Sequence, residues 1–397
     1  LDTALSGERK GAPIFSRQGK KGFMHNAPSL NFKSLDMLRG VLIVYIVTGH
    51  CCWLLWAPEN VLHHLPSPLL SSLLPFIHGL LSYPMTAAMV FFTLSGFFIH
   101  LRVSKQLASH HMFQFSTSAF IKNRCHRLLP PYFFALVVTV IIDGAGNLLF
   151  PTLYNGATSD PFINRQFNNC VFSFTSILSA VFLVPSSAGK SFGSNGALWF
   201  IAFQTIYYLL YPLWVNLRRI GALPAYASGF ALAVSAYWFF PPSFIRNVLM
   251  LYPLWLSGAL LAEIVVRKPL PGWITPLSGV SALVTMIILS TGDLRFSVLL
   301  LTLLGISVVL TVLTLPAKIC TYRVHRFFGM LGIESYSIFL CHFPAVAFIS
   351  AGIFEVLGGR PVAVYLMVGG VASGLLFGRL CFALCEGHFL HPRLTVE

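Results

Sequence analysis

Charge is what this chain has least of. Only 10% of its 397 residues are charged, and just 12 are acidic, against about 25% charged in ordinary soluble domains. With 56% hydrophobic residues, that scarcity excludes a water-soluble globule and implies a polytopic α-helical membrane protein, because each crossing of a ~30 Å hydrocarbon core takes about 20 apolar residues. The eight cysteines are scattered, with no Cys-x-x-Cys pair, so neither a disulfide framework nor a metal site is indicated. No internal repeat and no second domain can be seen. A phosphate-binding loop is missing too: Gly189-Lys190-Ser191 resembles the end of one, but Val184 stands where its first glycine must turn the backbone.

What is present is a series of ten apolar runs, near residues 34–56, 83–101, 130–150, 197–217, 222–240, 245–266, 273–289, 296–315, 330–354 and 361–385. The expected fold class is therefore all-α, with about ten transmembrane helices. The apolar run 172–184 is too short to cross and, inside the Asn- and Ser-rich loop 151–196, is expected to be interfacial or re-entrant. Residues 1–33 are polar and basic, which suggests a disordered cytoplasmic tail, and residues 391–397 form a second short tail after the helical domain 34–390.

A net charge of +14 is compatible with nucleic-acid binding, but the basic residues are placed by topology. With the N-terminus inside, all 26 Lys and Arg fall on the cytoplasmic side except Arg165, Lys190, Arg246, Arg295 and Arg360, as the positive-inside rule requires. Both termini are then cytoplasmic, the 151–196 loop is exterior, and nucleic acid is no partner.

The run Leu35-Asp36-Met37-Leu38-Arg39-Gly40, continuing to Gly49-His50, carries two costly residues in one span. Arg39 and His50 lie eleven positions apart, so they share a helix face at heights that differ by about 16 Å. Intramembrane ionisable groups usually face a polar interior and mark a pathway or site, at about 2.5–3.5 kcal/mol each on insertion scales. The plainer reading is an interfacial Arg and a His bonded to a neighbouring helix.

These residues have a family likeness. Arg39, ten residues and His50 resemble the signature of the acyltransferase-3 family of integral membrane O-acyltransferases. Phe91-Phe92-Thr93-Leu94-Ser95-Gly96-Phe97-Phe98-Ile99 is similar to its second-helix motif, and Arg124-Cys125-His126-Arg127 to its Arg-x-x-Arg element. Leu331-Gly332 followed by Ser335-Tyr336-Ser337 and His342-Phe343-Pro344 resembles its late motif. Two departures stand out. Trp199-Phe200-Ile201-Ala202-Phe203-Gln204 has an amide where many bacterial members carry Glu, and Glu386-Gly387-His388 keeps only the acid of a usual Glu-Arg-Pro.

The resemblance implies an enzyme of the bacterial inner membrane that moves an acyl group, acetyl in the first instance, from acyl-CoA to a hydroxyl of a cell-surface glycan or lipid-linked saccharide. Acetyl-CoA is then a donor substrate, and no cofactor is permanently bound. His50 and Arg39 are the expected catalytic residues. Arg39, Arg124 and Arg127, at the cytoplasmic ends of spans, suit the donor's phosphates, because guanidinium forks hold phosphate oxygens bidentately. Ordinary positive-inside content explains Arg124 and Arg127 equally well.

Counting residues along the spans puts Gln204 and His342 at a depth comparable to His50, so the three polar side chains are expected to converge near mid-membrane. Ser95, Trp199, Tyr336 and Glu386 complete the expected channel lining, with Ser95 beside Gly96 read as close packing rather than as a nucleophile. Two other readings stay open. One is a transporter whose Arg and His line a permeation path, although the repeats and paired broken helices common in transporters are not found. The other is transfer of a larger acyl group such as succinyl.

Overall fold

The computed structural model describes residues 32–58, 68–109, 114–167, 170–184, 191–268, 270–290, 297–316 and 322–390. The expected tails fall outside the described residues, apart from Phe32 and Lys33, which begin the first helix. In chain order the helices are α1 (Phe32–Leu55), α2 (Pro68–Leu81), α3 (Pro84–Ala108), α4 (Thr117–Leu149), α5 (Pro151–Tyr154), α6 (Pro161–Phe167), α7 (Phe174–Val181) and α8 (Trp199–Ile220). They continue as α9 (Ala222–Phe239), α10 (Phe244–Arg267), α11 (Ile274–Ser290), α12 (Ser297–Thr314), α13 (Arg323–Ile333), α14 (Ser335–Leu357) and α15 (Val364–Cys381). A π turn, Phe382–Glu386, follows α15 directly. Two strands of two residues, β1 (Cys170–Val171) and β2 (Ser191–Phe192), pair in parallel.

Seven of these helical segments are long and apolar enough to cross a membrane: Lys33–Leu55, Leu73–Ala108, Thr117–Leu149, Gly196–Ile220, Phe244–Arg267, Ser335–Leu357 and Val364–Phe389. The chain is an integral membrane protein. The other three expected spans are helical but fall short as α9, α11 and α12. The first is diluted by Pro224, Tyr226, Ser228, Tyr237 and Trp238, and the other two are short. The run 172–184 folds as α7, eight residues long, with Phe174, Ile177, Leu178 and Val181 exposed.

Some boundaries differ from the sequence expectation. The helix expected from residue 130 begins at Thr117, where the Ser116 side chain accepts from the Ala119 amide as an N-cap. It then runs on through Pro130 and Pro131, so Arg124 and Arg127 lie within the helix rather than ahead of it. The expected span 330–354 is two helices, α13 and α14, joined at Glu334. Helix α2 was not expected at all, because Pro75 sits inside it and its apolar stretch is short.

Helix α1 is the hub, packed against α3, α12, α13, α14 and α15. Its close approach to α13, and that of α3 to α10, depends on missing side chains. A Cβ on Gly40 would strike the Phe328 carbonyl, and one on Gly332 the Asp36 carbonyl; Gly96 and Gly258 stand in the same relation to the carbonyls of Trp255 and Thr93. Helix α14 runs parallel to α1, with Arg39 at Ser335, His50 at His342 and Leu54 at Ser350. That register carries the functional face of α1 onto one neighbour.

Candidate active site

The shared face of α1 and α14 brings two histidines together. His50 Nδ1 lies 2.8 Å from His342 Nε2. The ring planes differ by only 15° and the centroids are 5.1 Å apart, close to the hydrogen-bond length plus two ring radii, so the rings meet end to end rather than face to face. His342 is wholly buried, and its Nδ1 lies 2.8 Å and 3.0 Å from the Ile338 and Phe339 carbonyls of its own helix. Around His50, Trp53 and Phe343 present ring edges at 5.1 Å and 4.9 Å. His50 itself is only half-buried, and its Nε2 has no hydrogen bond among the described residues.

About three turns back along α1, the polar end of the site begins. Arg39 donates from Nη2 to Ser335 Oγ at 2.9 Å and from Nη1 to Asp36 Oδ1 at 3.5 Å. Glu386, delivered by the π turn, accepts at Oε2 from the Ser337 amide and hydroxyl at 2.9 Å and 2.6 Å, so a carboxylate from α15's extension caps the positive end of α14. Arg39 and Arg127 both lie within electrostatic reach of it. Tyr336 donates from its hydroxyl to the Leu128 carbonyl, tying α14 to α4 in the turn loosened by Pro130 and Pro131. Arg39, Arg127, Tyr336 and Glu386 are thus gathered at one end of α1, α4 and α14. Arg124 lies over the Phe120 ring, within electrostatic reach of Arg127.

Gln204 is placed elsewhere. Instead of meeting the histidines, it donates from Nε2 to Ser95 Oγ at 2.6 Å; Trp255 Nε1 donates to the same oxygen at 3.3 Å, and the Tyr208 hydroxyl stands 3.5 Å away. A run of ring contacts leads from Phe92 through Phe200 and Phe339 to His342. The expected convergence of three polar groups is therefore a pair plus a separate Ser95–Gln204 cluster. Trp199 packs among Phe92, Phe200 and Phe203.

Other anchors went unread in the sequence. Pro344 has no N–H for the Leu340 carbonyl four residues back, and Asn195 Nδ2 takes that carbonyl at 2.8 Å and Thr139 Oγ1 at 3.0 Å. The adjacent Ser194 donates from its amide and hydroxyl to the Asp143 carboxylate at 2.6 Å and 2.7 Å. The loop before α8 is so pinned to α4 and α14, two residues from His342 on the chain. Earlier in the loop, Asp160 caps α6 by accepting from the amides of Phe162 and Ile163, and it pairs with Arg360. Burial alone would raise its carboxyl, but the Arg360 guanidinium outweighs that and holds it below the ordinary range. The available signals were a proline inside an apolar helical run, which leaves a carbonyl without its amide, and an Asn in the loop just ahead of another run.

A second buried ionic cluster lies between α3, α8, α9 and α10. Glu263 accepts from Arg218 Nε and Nη2 at 2.7 Å and 2.6 Å, from Arg267 at 3.2 Å and from the Tyr226 hydroxyl at 3.1 Å. His100 spans Glu263 at 3.0 Å and the Tyr211 hydroxyl at 2.9 Å.

A helical membrane protein thus carries an arginine-rich end and, about three turns in along α1, a histidine pair. The profile of the acyltransferase-3 family, described as an acyltransferase domain, matches residues 32–379, and the chain belongs to that family of enzymes. It is also 25% identical over 311 residues to the exopolysaccharide production protein ExoZ of Rhizobium meliloti (strain 1021), an alignment covering 75% of this chain and 86% of that protein. No solved structure matches the chain.

Proposed function

We propose that the enzyme transfers an acyl group, acetyl in the first instance, from acyl-CoA to a hydroxyl of an exopolysaccharide or its lipid-linked precursor. The observation that carries the reading is the open Nε2 of His50 on the face of α1 that also carries Arg39. The glycan acceptor follows from the likeness to ExoZ, and the donor from the arginines at the other end of the site. The enzyme resides in the bacterial inner membrane, crossed by ten helices once α9, α11 and α12 are counted, with both termini cytoplasmic.

In this reading Arg39, Arg124 and Arg127 hold the phosphates of the donor at the cytoplasmic end, by charge-assisted forks. The thioester reaches along α1 toward His50. The acceptor hydroxyl enters from the exterior side and gives its proton to His50 Nε2 as its oxygen attacks the thioester carbonyl. The C–O bond forms, the C–S bond breaks, and the proton on Nε2 passes to the departing thiolate. An imidazole nitrogen can take up and return a proton at one position, and such help is worth about 10²–10⁴-fold.

The test is thiol release from acetyl-CoA by the purified protein in lipid nanodiscs, with and without membranes that carry the exopolysaccharide precursor. Acetyl-CoA-dependent thiol release that rises with acceptor supports the reading. A protein that neither binds nor cleaves acetyl-CoA, at any acceptor level, contradicts it.

A further inference from the structure

We infer that His342 is a positioning residue that fixes the tautomer of His50, so that the nitrogen turned to the reaction is the bare one. The inference rests on the base role proposed above for His50.

The carbonyls of Ile338 and Phe339 can only accept, and both lie within hydrogen-bond distance of His342 Nδ1. Nδ1 of His342 therefore carries hydrogen. A neutral imidazole has a single N–H, so His342 Nε2 is a lone pair. Only a donor can approach a lone pair at 2.8 Å, and the approaching atom is His50 Nδ1. His50 Nδ1 thus carries its ring's hydrogen, and His50 Nε2 is left as the lone pair. Two carbonyls of α14 are read out, through one ring, as the protonation pattern of a second ring on α1.

The surroundings keep His342 in that role. It is fully buried, no carboxylate is among its hydrogen-bond partners, and Gly374 of α15 lies against its Cβ, Val47 and Val346, where a side chain would intrude. A ring so enclosed cannot readily turn over to present its other nitrogen. The end-to-end geometry matters as well. When His50 Nε2 takes a proton, the positive charge that forms has its Nδ1–H already aimed at an acceptor, so no reorganisation accompanies the transfer. The arrangement parallels the general rule that the partner of one imidazole nitrogen decides the state of the other.

The experiment is nitrogen NMR of the full chain labelled with ¹⁵N-histidine in nanodiscs, with the His50 signals identified by their loss in His50→Ala. The wild type is expected to show a protonated Nδ1 and an unprotonated Nε2 at His50. His342→Leu is expected to mix the two tautomers and lower kcat for thiol release from acetyl-CoA by about 10²-fold with KM unchanged. That is short of the ~10⁴-fold cost of a locked wrong tautomer, because the freed ring still samples the right one. His342→Gln, whose amide oxygen can stand where Nε2 stood, is expected to restore both the spectrum and, to within about tenfold, the rate.

A wild-type His50 protonated at Nε2 would overturn the inference, as would a His342→Leu enzyme with unaltered spectrum and kcat. If His342→Leu does not fold, the wild-type spectrum decides alone. Should the wild type never cleave acetyl-CoA, the donor reading fails, while the nitrogen spectrum still accepts or rejects the tautomer.

Discussion

Two buried polar clusters in this molecule invite comparison, the His50–His342 pair and the Glu263 network. Both rest on ionisable residues in apolar helices, and both draw on helices distant in sequence. Around Glu263, four donor groups on three side chains close on the carboxylate, while His100 spends one nitrogen on Glu263 and the other on Tyr211. In the histidine pair, three of the four ring nitrogens are engaged and the fourth, His50 Nε2, is not. A saturated cluster can only hold helices together; an unsaturated one can also exchange a proton with something that arrives. Burial and charge alone would rank the two alike. The spare valence separates them.

The comparison can be broken most directly at its two centres. His50→Ala is expected to lower acetyl-CoA-dependent transfer by about 10²–10⁴-fold and to lower the thermal midpoint by a few degrees at most, since it removes a general base and one buried hydrogen bond. Activity and midpoint falling in proportion would move His50 into the same class as Glu263. Glu263→Gln should show the reverse pattern, a loss of about 3–5 kcal/mol of stability from a buried Arg218 left without its counter-charge. Thermal melts in one detergent would register it, and an unaltered melt would deny the network its structural role.

Smaller effects sharpen the picture at the edges. Arg127→Ala should weaken coenzyme A binding by about 1 kcal/mol, roughly fivefold in Kd, with a shallower salt dependence. Lys at the same position should recover only part of this, since it lacks the planar fork; titration calorimetry at two salt concentrations measures both, and an unchanged Kd would return Arg127 to topology. Smallest is Asp160→Ala, about 1 kcal/mol through loss of the α6 cap, read from amide exchange in that helix. Because the Asp160 carboxyl is held below its ordinary value, its contribution is complete above about pH 4 and fades as pH falls further. Wild type and variant should therefore draw together as pH falls below the ordinary carboxylate range, and a difference that does not shrink there would mean the Asp160 charge is not the cause.

Much of this was legible in the sequence, and the reason is periodicity. Arg39 and His50 share a face because eleven residues are nearly three whole turns, and each long apolar run is helical, that at 330–354 as parts of two helices. What counting along helices could not supply was rotation about their axes and the contacts between them. Gln204 sits at a plausible depth yet turns to Ser95, and nothing in a residue count separates those faces. The continuous helix through Pro130 and Pro131 was hidden because proline ordinarily marks a boundary. His342 was legible as a His bonded to a backbone carbonyl, and that reading is half of what is found; the other half, its bond to His50, needed the parallel register of α1 and α14. Glu263, His100 and Arg218 were each visible as costly residues in apolar helices, but no motif joined them.

The most direct test of the central claim is chemical rescue. Free imidazole added to His50→Ala protein in nanodiscs should restore thiol release from acetyl-CoA in proportion to its concentration, because a diffusing base can occupy the vacated position. The same addition should do nothing for Glu263→Gln. A His50→Ala enzyme that already works at the wild-type rate, without imidazole, would contradict the account.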